Sequence, residues 1–336
     1  MPDNPEGPTS GLRLIREPAA PDALAAPTGE RVGLSGLLDD LSRRGRRGFA
    51  PGLRVKHALT WDREDRRTTQ WWPQGISTSA DASDDELVLG RRLAAVSWYA
   101  KPVGGEPSHG SRISFVDLDR RHYQHVLLTT PGGGPLRIHA GGLVWWGPYL
   151  HVAATANGFW TCHTDDIVRV ADPSTTYGYR YAWPMRLQHR ARSDGGTPPL
   201  RYSCMSVDRS TTPPQLVVAE YGRGRNTTRL ARFALDRDTR LPLTDADGIA
   251  RPLWTDARGL RGTQGVAAVG ERIYLTVSHG QGGFGSLYAG APGAFHHHRF
   301  ATPMGPEDLS VWPSRRELWT VTEHPHRRWL VALRQP

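Results

Sequence analysis

Apolar and polar positions along this chain repeat in one pattern, five times. In each copy a small or polar pair leads into a short apolar strand, and a polar break separates it from a second short strand. Repetition at roughly 40 to 65 residues is typical of propellers and solenoids, and short strands between polar turns favour the propeller. The first strands open at residues 74–77, 141–144, 204–207, 264–267 and 308–311, and the second strands cover residues 93–98, 150–155, 216–221, 273–278 and 318–323.

The predicted fold class is all-β, a five-bladed β-propeller closed by an N-terminal strand. The first four repeats each contain a third and a fourth strand; in the second repeat the fourth is predicted at residues 181–187. The fifth repeat has three strands, which would leave an exposed sheet edge. The strand-like segment 53–59 precedes the first repeat, so we predict that it pairs with the sheet formed by residues 306–334.

Residues 1–50 are predicted to lie outside the propeller, which would cover residues 51–336 as a single domain. Residues 1–30 are rich in Pro, Ala, Gly and charge, a composition typical of disorder. Four leucines between positions 34 and 41 recur at helical spacing, which predicts a short amphipathic helix over residues 32–44. The arginines within 43–47 would then form its solvated C-terminal end.

Composition agrees with thin sheets and many turns. The 336 residues include 37 Gly and 27 Pro, and only 38% are hydrophobic. The 12 Trp can fill wedges between blades or line a ligand site. The net charge of +9 is carried almost entirely by arginine, because Lys56 and Lys101 are the only lysines. Apart from residues 43–47 the arginines are scattered, so a nucleic-acid partner is not predicted.

Further classes are excluded by what the chain lacks. Cys162 and Cys204 fall in different repeats without a metal-binding spacing, which predicts two buried thiols. No apolar stretch approaches the ~20 residues of a membrane span, and the N-terminal sequence does not follow the signal-peptide pattern. We therefore expect a cytoplasmic monomer without a membrane partner, a metal or another cofactor.

Residues that carry chemistry concentrate at two positions of the repeat. In a propeller the first strands line a central channel, and ligands bind at its mouth. The second strand runs antiparallel to the first, so its C-terminal end returns to the face where the first strand began. The two registers predict one site, with Glu220, Glu307, Glu323, His139, His279 and His324 as acids and bases, and Trp72, Gln74, Trp98, Tyr99, Tyr221, Gln264 and Asp308 as ligand contacts.

Such a site suits acid–base catalysis. Clustered carboxylates shift one another's pKa, and a neighbouring histidine can share a proton. We therefore expect an enzyme of lyase, cyclase or hydrolase type that acts on a small organic or carbohydrate-like ligand, as tailoring enzymes of secondary metabolism do.

Three other interpretations stay open. The same residues could bond turns and neighbouring blades, with no ligand at all. A non-catalytic propeller could bind a sugar or a protein partner, although the five second-strand ends differ from one another, which favours one composite site over a repeated one. A metal-dependent, lactonase-like enzyme would need several oxygen ligands at the channel, and only Glu307 and Asp308 suit that role.

Two family resemblances bear on these predictions. The runs 139–145, 149–153, 305–310 and 318–325 resemble a Streptomyces-type family of actinobacterial five-bladed propellers, described mostly as secreted proteins of unknown function. This resemblance covers roughly residues 55–335 and implies the fold without a catalytic assignment. A second, to propellers of the strictosidine-synthase and regucalcin type, implies a carboxylate turn near a central metal. Only residues 306–308 match that turn, and Gln74 and Gln264 occupy the corresponding places in two other repeats.

Overall fold

The computed structural model describes residues 11–18, 27–194 and 196–336. Strands dominate these residues, and no helix among them is long and apolar enough to cross a membrane. The α-helices are α1 (Gly33–Leu38), α2 (Arg63–Arg67) and α3 (Ser79–Ala82), and 3-10 turns occupy Thr164–Asp166 and Pro173–Thr176. In chain order the strands are β1 (Leu12–Pro18), β2 (Gly29–Arg31), β3 (Arg43–Arg44), β4 (Arg46–Gly48), β5 (Val55–Thr60), β6 (Trp71–Thr78), β7 (Leu93–Ala100), β8 (Ser111–Asp117), β9 (His122–Thr129), β10 (Leu143–Trp146), β11 (Tyr149–Ala153), β12 (Phe159–His163), β13 (Val168–Val170), β14 (Tyr181–Pro184), β15 (Leu187–Ser193), β16 (Cys204–Asp208), β17 (Gln215–Ala219), β18 (Leu230–Ala234), β19 (Ile249–Ala250), β20 (Trp254–Asp256), β21 (Thr263–Val269), β22 (Arg272–Val277), β23 (Gly285–Ala291), β24 (Ala294–Thr302), β25 (Pro306–Trp312), β26 (Glu317–Thr322) and β27 (Trp329–Arg334).

Hydrogen bonds join the described strands into sheets, and each sequence repeat supplies the centre of one sheet. Consecutive strands of a repeat pair antiparallel, as the short hairpin connections require. In spatial order, sheet 1 is β6-β7-β8-β9-β14-β13-β2, with β3 also paired to β9; sheet 2 is β10-β11-β12-β15-β1-β19; sheet 3 is β16-β17-β18-β20; sheet 4 is β21-β22-β23-β24; and sheet 5 is β25-β26-β27-β5-β4.

The first strands of the repeats are the innermost strands of their sheets. They contact one another in the order β6, β10, β16, β21, β25 and again β6. Buried apolar side chains fill the wedges between neighbouring sheets, for example Val144 and Met205 between sheets 2 and 3. The protein is therefore an all-β propeller.

Contact between inner strands explains why the repeat begins with small residues. A Cβ atom on Gly142 would lie 2.4 Å from the backbone nitrogen of Met205 on the next inner strand. A Cβ atom on Gly265 would lie 2.5 Å from the carbonyl oxygen of Glu307. Since neighbouring backbones approach this closely around the channel, the recurring glycine is a steric requirement.

Strand β5 lies where the incomplete fifth repeat predicted it. It pairs antiparallel with β27, with Leu59 opposite Leu330 and Ala58 opposite Val331. These four side chains are buried. The predicted pairing of the segment before the first repeat with the last sheet is confirmed, and β4 extends the sheet by one more strand.

Predictions for the N-terminal region fail in part. Residues 12–18 were expected to be disordered but form β1, which lies between β15 and β19 and buries Leu12 and Leu14. The average composition of residues 1–30 conceals a local alternation of leucine and polar residues; residues 1–10 and 19–26 lie outside the described part. Helix α1 ends at Leu38, and the arginines after it belong to β3 and β4, not to a solvated helix end.

One strand of the second repeat joins a different sheet from the one predicted. Strand β14 pairs parallel with β9 of sheet 1, while β15 becomes the fourth strand of sheet 2. The indole of Trp183 on β14 is fully buried, 5.6 Å from the ring of Phe115 in sheet 1. Burial of this indole between sheets 1 and 2 accounts for the position of the strand, and strand propensity alone does not show it.

Both cysteines are buried and free, as predicted. Burial raises the pKa of each thiol well above its ordinary value. For Cys204 the carboxylates of Asp308 and Glu307 raise it further, which places this thiol beside the channel.

Candidate functional site

Side chains from sheets 1, 4 and 5 meet at one mouth of the channel. The Nε2 atom of Gln74 donates to Oε2 of Glu323 at 3.4 Å, and Nε2 of Gln264 donates to Oε1 of Glu307 at 3.0 Å. First-strand and second-strand ends therefore share one face, as their registers predicted. We define the mouth cluster as Trp72, Gln74, Tyr99, Gln264, Glu307, Glu323 and His324.

Two carboxyl groups of the mouth cluster resist ionisation. Glu307 is buried, and its pKa is raised well above the ordinary value by burial, by Glu323 and by Asp308. The pKa of Glu323 is also raised, because burial outweighs the opposing effects of Lys101 and Gln74. A pair that disfavours two negative charges holds a proton, so one member can act as an acid and the other as a base.

Asp308 lies deeper than the mouth and ties inner strands together. Its Oδ2 atom accepts hydrogen bonds from the backbone nitrogens of Leu143 at 2.9 Å and Ile76 at 3.3 Å. Its Oδ1 atom is buried without a partner, and burial raises the pKa of the carboxyl well above its ordinary value. The predicted ligand contact is therefore chiefly a bridge between sheets 1, 2 and 5.

The imidazole of His324 has two ring nitrogens without hydrogen-bond partners in the described part of the protein. Its side chain is buried, its Nδ1 atom is 3.6 Å from Oε1 of Glu323, and neither ring nitrogen has a hydrogen-bond partner within bonding geometry. The backbone of Gly280 is close enough to raise the pKa of the ring slightly against the other effects. Burial, Arg327 and Arg328 lower the pKa, so the ring is neutral near pH 7. Leaving both nitrogens buried and unpaired is costly unless another molecule bonds to them.

A cavity and a neighbouring glycine leave room around the imidazole of His324. A cavity of about 550 Å³ lies against His324, lined also by residues 281, 282 and 325–327. Gly305 has φ +66°, and a Cβ atom there would lie 2.7 Å from Cδ2 of His324. Only glycine combines that backbone conformation with room for the imidazole.

Aromatic rings and one lysine complete the mouth. The Nζ atom of Lys101 lies 3.4 Å from the ring centroid of Trp72, and Tyr99 and His139 place their ring centroids 4.6 Å apart. Burial, with Glu323 and Glu307, raises the pKa of Tyr99 to about 12. Sequence reasoning missed Lys101, although it follows Tyr99 by two residues and therefore projects to the same side of an extended chain.

Glu220 does not act in this cluster. Its carboxylate accepts hydrogen bonds from the backbone nitrogens of Arg201 at 3.0 Å and Arg229 at 2.9 Å, and from Nη2 of Arg229 at 2.7 Å. Burial alone would raise its pKa, but the bonds from Arg229 and Thr227 lower it overall. A fully bonded carboxylate of lowered pKa stabilises sheet 3 and is a poor acid or base, contrary to the prediction.

Three further predicted residues lie elsewhere. Trp98 is fully buried, with its ring 4.8 Å from that of Trp61, so it is part of the core and not a stacking wall. His279 is exposed, and its Nε2 atom is 2.9 Å from Oγ of Ser286. Tyr221 is half-buried, and its carbonyl accepts the amide of Gly262. Strand register predicted their side of the sheet but not which of them would face the channel.

A hydrogen-bonded series of Ser114, His125 and Asp65 was also not foreseen. Oγ of Ser114 lies 2.8 Å from Nδ1 of His125, whose Nε2 lies 2.9 Å from Oδ2 of Asp65. These are the residue types of a nucleophilic triad, but all three are buried. A nearby cavity of about 380 Å³ is lined by His125 and Asp65 but not by Ser114. A serine without access cannot attack a substrate, so the series is structural.

Among the described residues, no group of three or more His, Cys, Asp and Glu side chains is arranged to hold a metal ion.

Comparison with known proteins gives structural likeness only. No protein-family model and no curated protein matches the chain. A gluconolactonase structure from Xanthomonas campestris is 13% identical with a TM-score of 0.40, covering 88% of each chain. A GH43_1 enzyme from Xanthomonas citri is 12% identical with a TM-score of 0.40, covering 79% of this chain and 87% of that one. The Cps50 (Swd1) β-propeller domain of Myceliophteria thermophila is 10% identical with a TM-score of 0.38, covering 83% of this chain and 99% of that one.

Proposed function

We propose that the mouth cluster binds a small, uncharged, hydroxyl-rich molecule of carbohydrate type and acts on it by acid–base chemistry. The observation that carries this proposal is the pairing of two carboxyl groups of raised pKa beside an imidazole without partners. Burying such ionisable and unpaired polar groups lowers the stability of the folded state, and groups of this kind are typical of functional sites.

The surroundings assign different roles to the two acids. Glu307 is buried and bonded to Gln264, so it keeps its proton and serves as the acid. The side chain of Glu323 is 19% exposed and lies near Lys101. Glu323 therefore ionises before Glu307 and serves as the base. The nitrogens of His324 would bond to ligand hydroxyls. The rings of Trp72 and Tyr99 would cover the apolar face of a sugar-like ring.

We further propose that the sheets are the five blades of one closed domain. Support comes from the cyclic contacts of the inner strands and from the pairing of β5 with β27. In a closed ring the blades cannot separate without breaking inner-strand packing, which would hold the mouth cluster rigidly.

A second candidate is a non-catalytic propeller that binds a sugar or a protein partner. One observation favours it: Glu307 is only 2% exposed, so a ligand at the surface would reach Glu323 and His324 first. Both candidates require the same mouth, and they differ in whether a bond of the bound molecule is broken.

A ligand screen with matched variants tests the proposal. Monosaccharides, disaccharides and aldonolactones are assayed for binding by calorimetry and for conversion by chromatography, with wild type, Glu323→Gln and Glu307→Gln. Glu271→Gln is the control, because Glu271 is exposed and lies in the β21–β22 turn, at the other end of sheet 4 from Gln264. We expect both mouth variants to bind but lose turnover while staying folded, with a Tm no lower than that of wild type. Binding without turnover by wild type, weakened by Trp72→Ala, would establish the non-catalytic candidate. Turnover that survives both changes would overturn the assignment of the acids.

A further inference from the structure

A second polar site lies away from the channel, between the outer parts of sheets 1 and 5. One cavity of about 420 Å³ has Arg47, His57 and Arg121 in its lining, over the indoles of Trp312 and Trp319. A neighbouring cavity of about 540 Å³ shares Arg47 and Arg121 with it. We define the basic cleft by five arginines that line these two cavities: Arg44, Arg46, Arg47, Arg63 and Arg121.

Local backbone pairing brings these arginines together. Strand β3 pairs with β9 and strand β4 pairs with β5, so residues 43–48 bridge sheets 1 and 5. Between the two strands the amide of Gly45 donates to the carbonyl oxygen of Arg121 at 2.8 Å. A Cβ atom on Gly45 would lie 2.8 Å from the carbonyl oxygen of Thr60, so the chain is held tightly on both sides.

None of the five arginines is neutralised by the described part of the protein. Among the described residues, no carboxylate lies within 4 Å of their guanidinium groups, whereas the adjacent Arg43 pairs with Asp62 and Glu64. Four of the five side chains, all except that of Arg121, are exposed. Two neighbours in the same cavity differ: Arg92 is paired with Asp119, and Arg315 with Glu317 at 3.0 Å. Asp62 also lines the cleft, but it is paired with Arg43 at 2.7 Å.

We propose that the basic cleft binds a compact polyanion, a small molecule that carries a di- or triphosphate group. Guanidinium forks match phosphate oxygens in pairs, and several unpaired forks on one cleft suit a ligand with several negative charges. The cavity volumes are in the range of small-molecule sites. The arginines come from β3, β4, α2 and the β8–β9 turn, so separate segments converge on the cleft. Arg47 and Arg121 line both cavities, and the other three line the second cavity.

The aromatic residues argue against a nucleic-acid surface. Binding of single strands uses exposed rings on which bases stack. Trp312 and Trp319 are only 1% and 3% exposed and form the floor of the cavity. His57 is exposed, but its ring meets that of Trp319 edge-on, with 5.3 Å between the centroids. The residues that line the cleft therefore do not form a row of exposed ring faces on which bases could stack. This fits a phosphate-bearing small molecule.

Calorimetry with inorganic triphosphate and pyrophosphate tests the proposal, in the full-length protein at low and at physiological salt. We expect triphosphate to bind more tightly than pyrophosphate. Arg47→Gln should weaken triphosphate binding roughly 5- to 20-fold, the loss expected for one charge-assisted contact. Arg237→Gln is the control, because Arg237 is exposed and lies outside the cleft; it should leave the affinity unchanged.

Three results would overturn the proposal. Triphosphate could fail to bind even at low salt, or Arg237→Gln could weaken it as much as Arg47→Gln, which would show a diffuse charge effect. An oligonucleotide could bind more tightly than triphosphate in an Arg47-dependent manner, which would make the cleft a nucleic-acid surface. Glu323→Gln should not alter triphosphate binding, so this test and the test of the mouth cluster fail or succeed independently.

Discussion

Sheets 3 and 5 contain the same pair of charged residues and use it in opposite ways. Glu220 follows the second strand of sheet 3, and Arg229 precedes its third strand; Glu323 and Arg328 occupy the same two places in sheet 5. In sheet 3 the arginine binds the carboxylate. In sheet 5, Arg328 donates instead to the carbonyl oxygens of Glu323 and Asp65, at 2.7 Å each.

Helix α2 accounts for the difference. It supplies the carbonyl of Asp65 as an acceptor, and the guanidinium of Arg328 lies 5.5 Å from the ring centroid of Trp72. Burial lowers the pKa of Arg328 to about 10. With its arginine held away from it, the carboxyl of Glu323 has a raised pKa, whereas that of Glu220 is lowered. The same register thus yields a structural ion pair in one sheet and a carboxyl of raised pKa in the other.

The largest effect should come from breaking the pair in sheet 3. Arg229→Met would leave the carboxylate of Glu220 buried without its main partner, which costs about 3–5 kcal/mol. Urea unfolding at pH 7 measures this loss. The double variant Arg229→Met/Glu220→Gln should recover part of it, because a neutral amide is less costly to bury. A loss below about 1 kcal/mol in the single variant would show that the pair is not essential.

Replacing the carboxyl of Glu307 by a neutral amide should stabilise the protein, by less than Arg229→Met destabilises it. The folded pKa of Glu307 is raised above its unfolded value, so the folded state loses stability as pH rises above about 4.5. Glu307→Gln removes this loss and should be more stable than wild type by roughly 1–2 kcal/mol at pH 8, and equal to it at pH 4.

Glu220→Gln should show the opposite pH dependence. The folded pKa of Glu220 is lowered, so its contribution is present above the unfolded pKa and is lost as pH falls through the folded pKa. Urea unfolding of both variants from pH 3 to 8 compares them. Parallel pH profiles for the two variants would contradict the distinction between the sheets.

The smallest effect should come from Lys101. Lys101→Met removes a partly exposed cation from the face of Trp72, at a cost of about 0.5–1 kcal/mol. It also removes a charge that lowers the pKa of Glu323, so that pKa should rise further. Carboxyl-carbon NMR titration of Glu323 measures the shift, and Lys56→Met, which affects the distant Glu317, is the matched control. An unchanged Glu323 titration would show that Lys101 does not influence the mouth.

The sequence alone was sufficient for the repeats and for much of the mouth cluster. Alternation with period two assigns each residue to a face, and antiparallel pairing brings first-strand openings and second-strand ends together. Hence Gln74 and Glu323, which bond across two sheets, could be placed at one mouth without a structure. The pairing of β5 with β27 followed from the number of strands in the last repeat.

Tertiary structure alone decided which charges are neutralised. Arginine side chains reach many acceptors, and strand register does not show whether a carboxylate, a carbonyl or solvent lies at their end. Arg229 and Arg328 therefore looked alike in the sequence, and so did the arginines of the basic cleft, which β3 and β4 bring together. Periodicity determines the face of a side chain, but its partner comes from distant segments, and a buried group's ionisation depends on that partner.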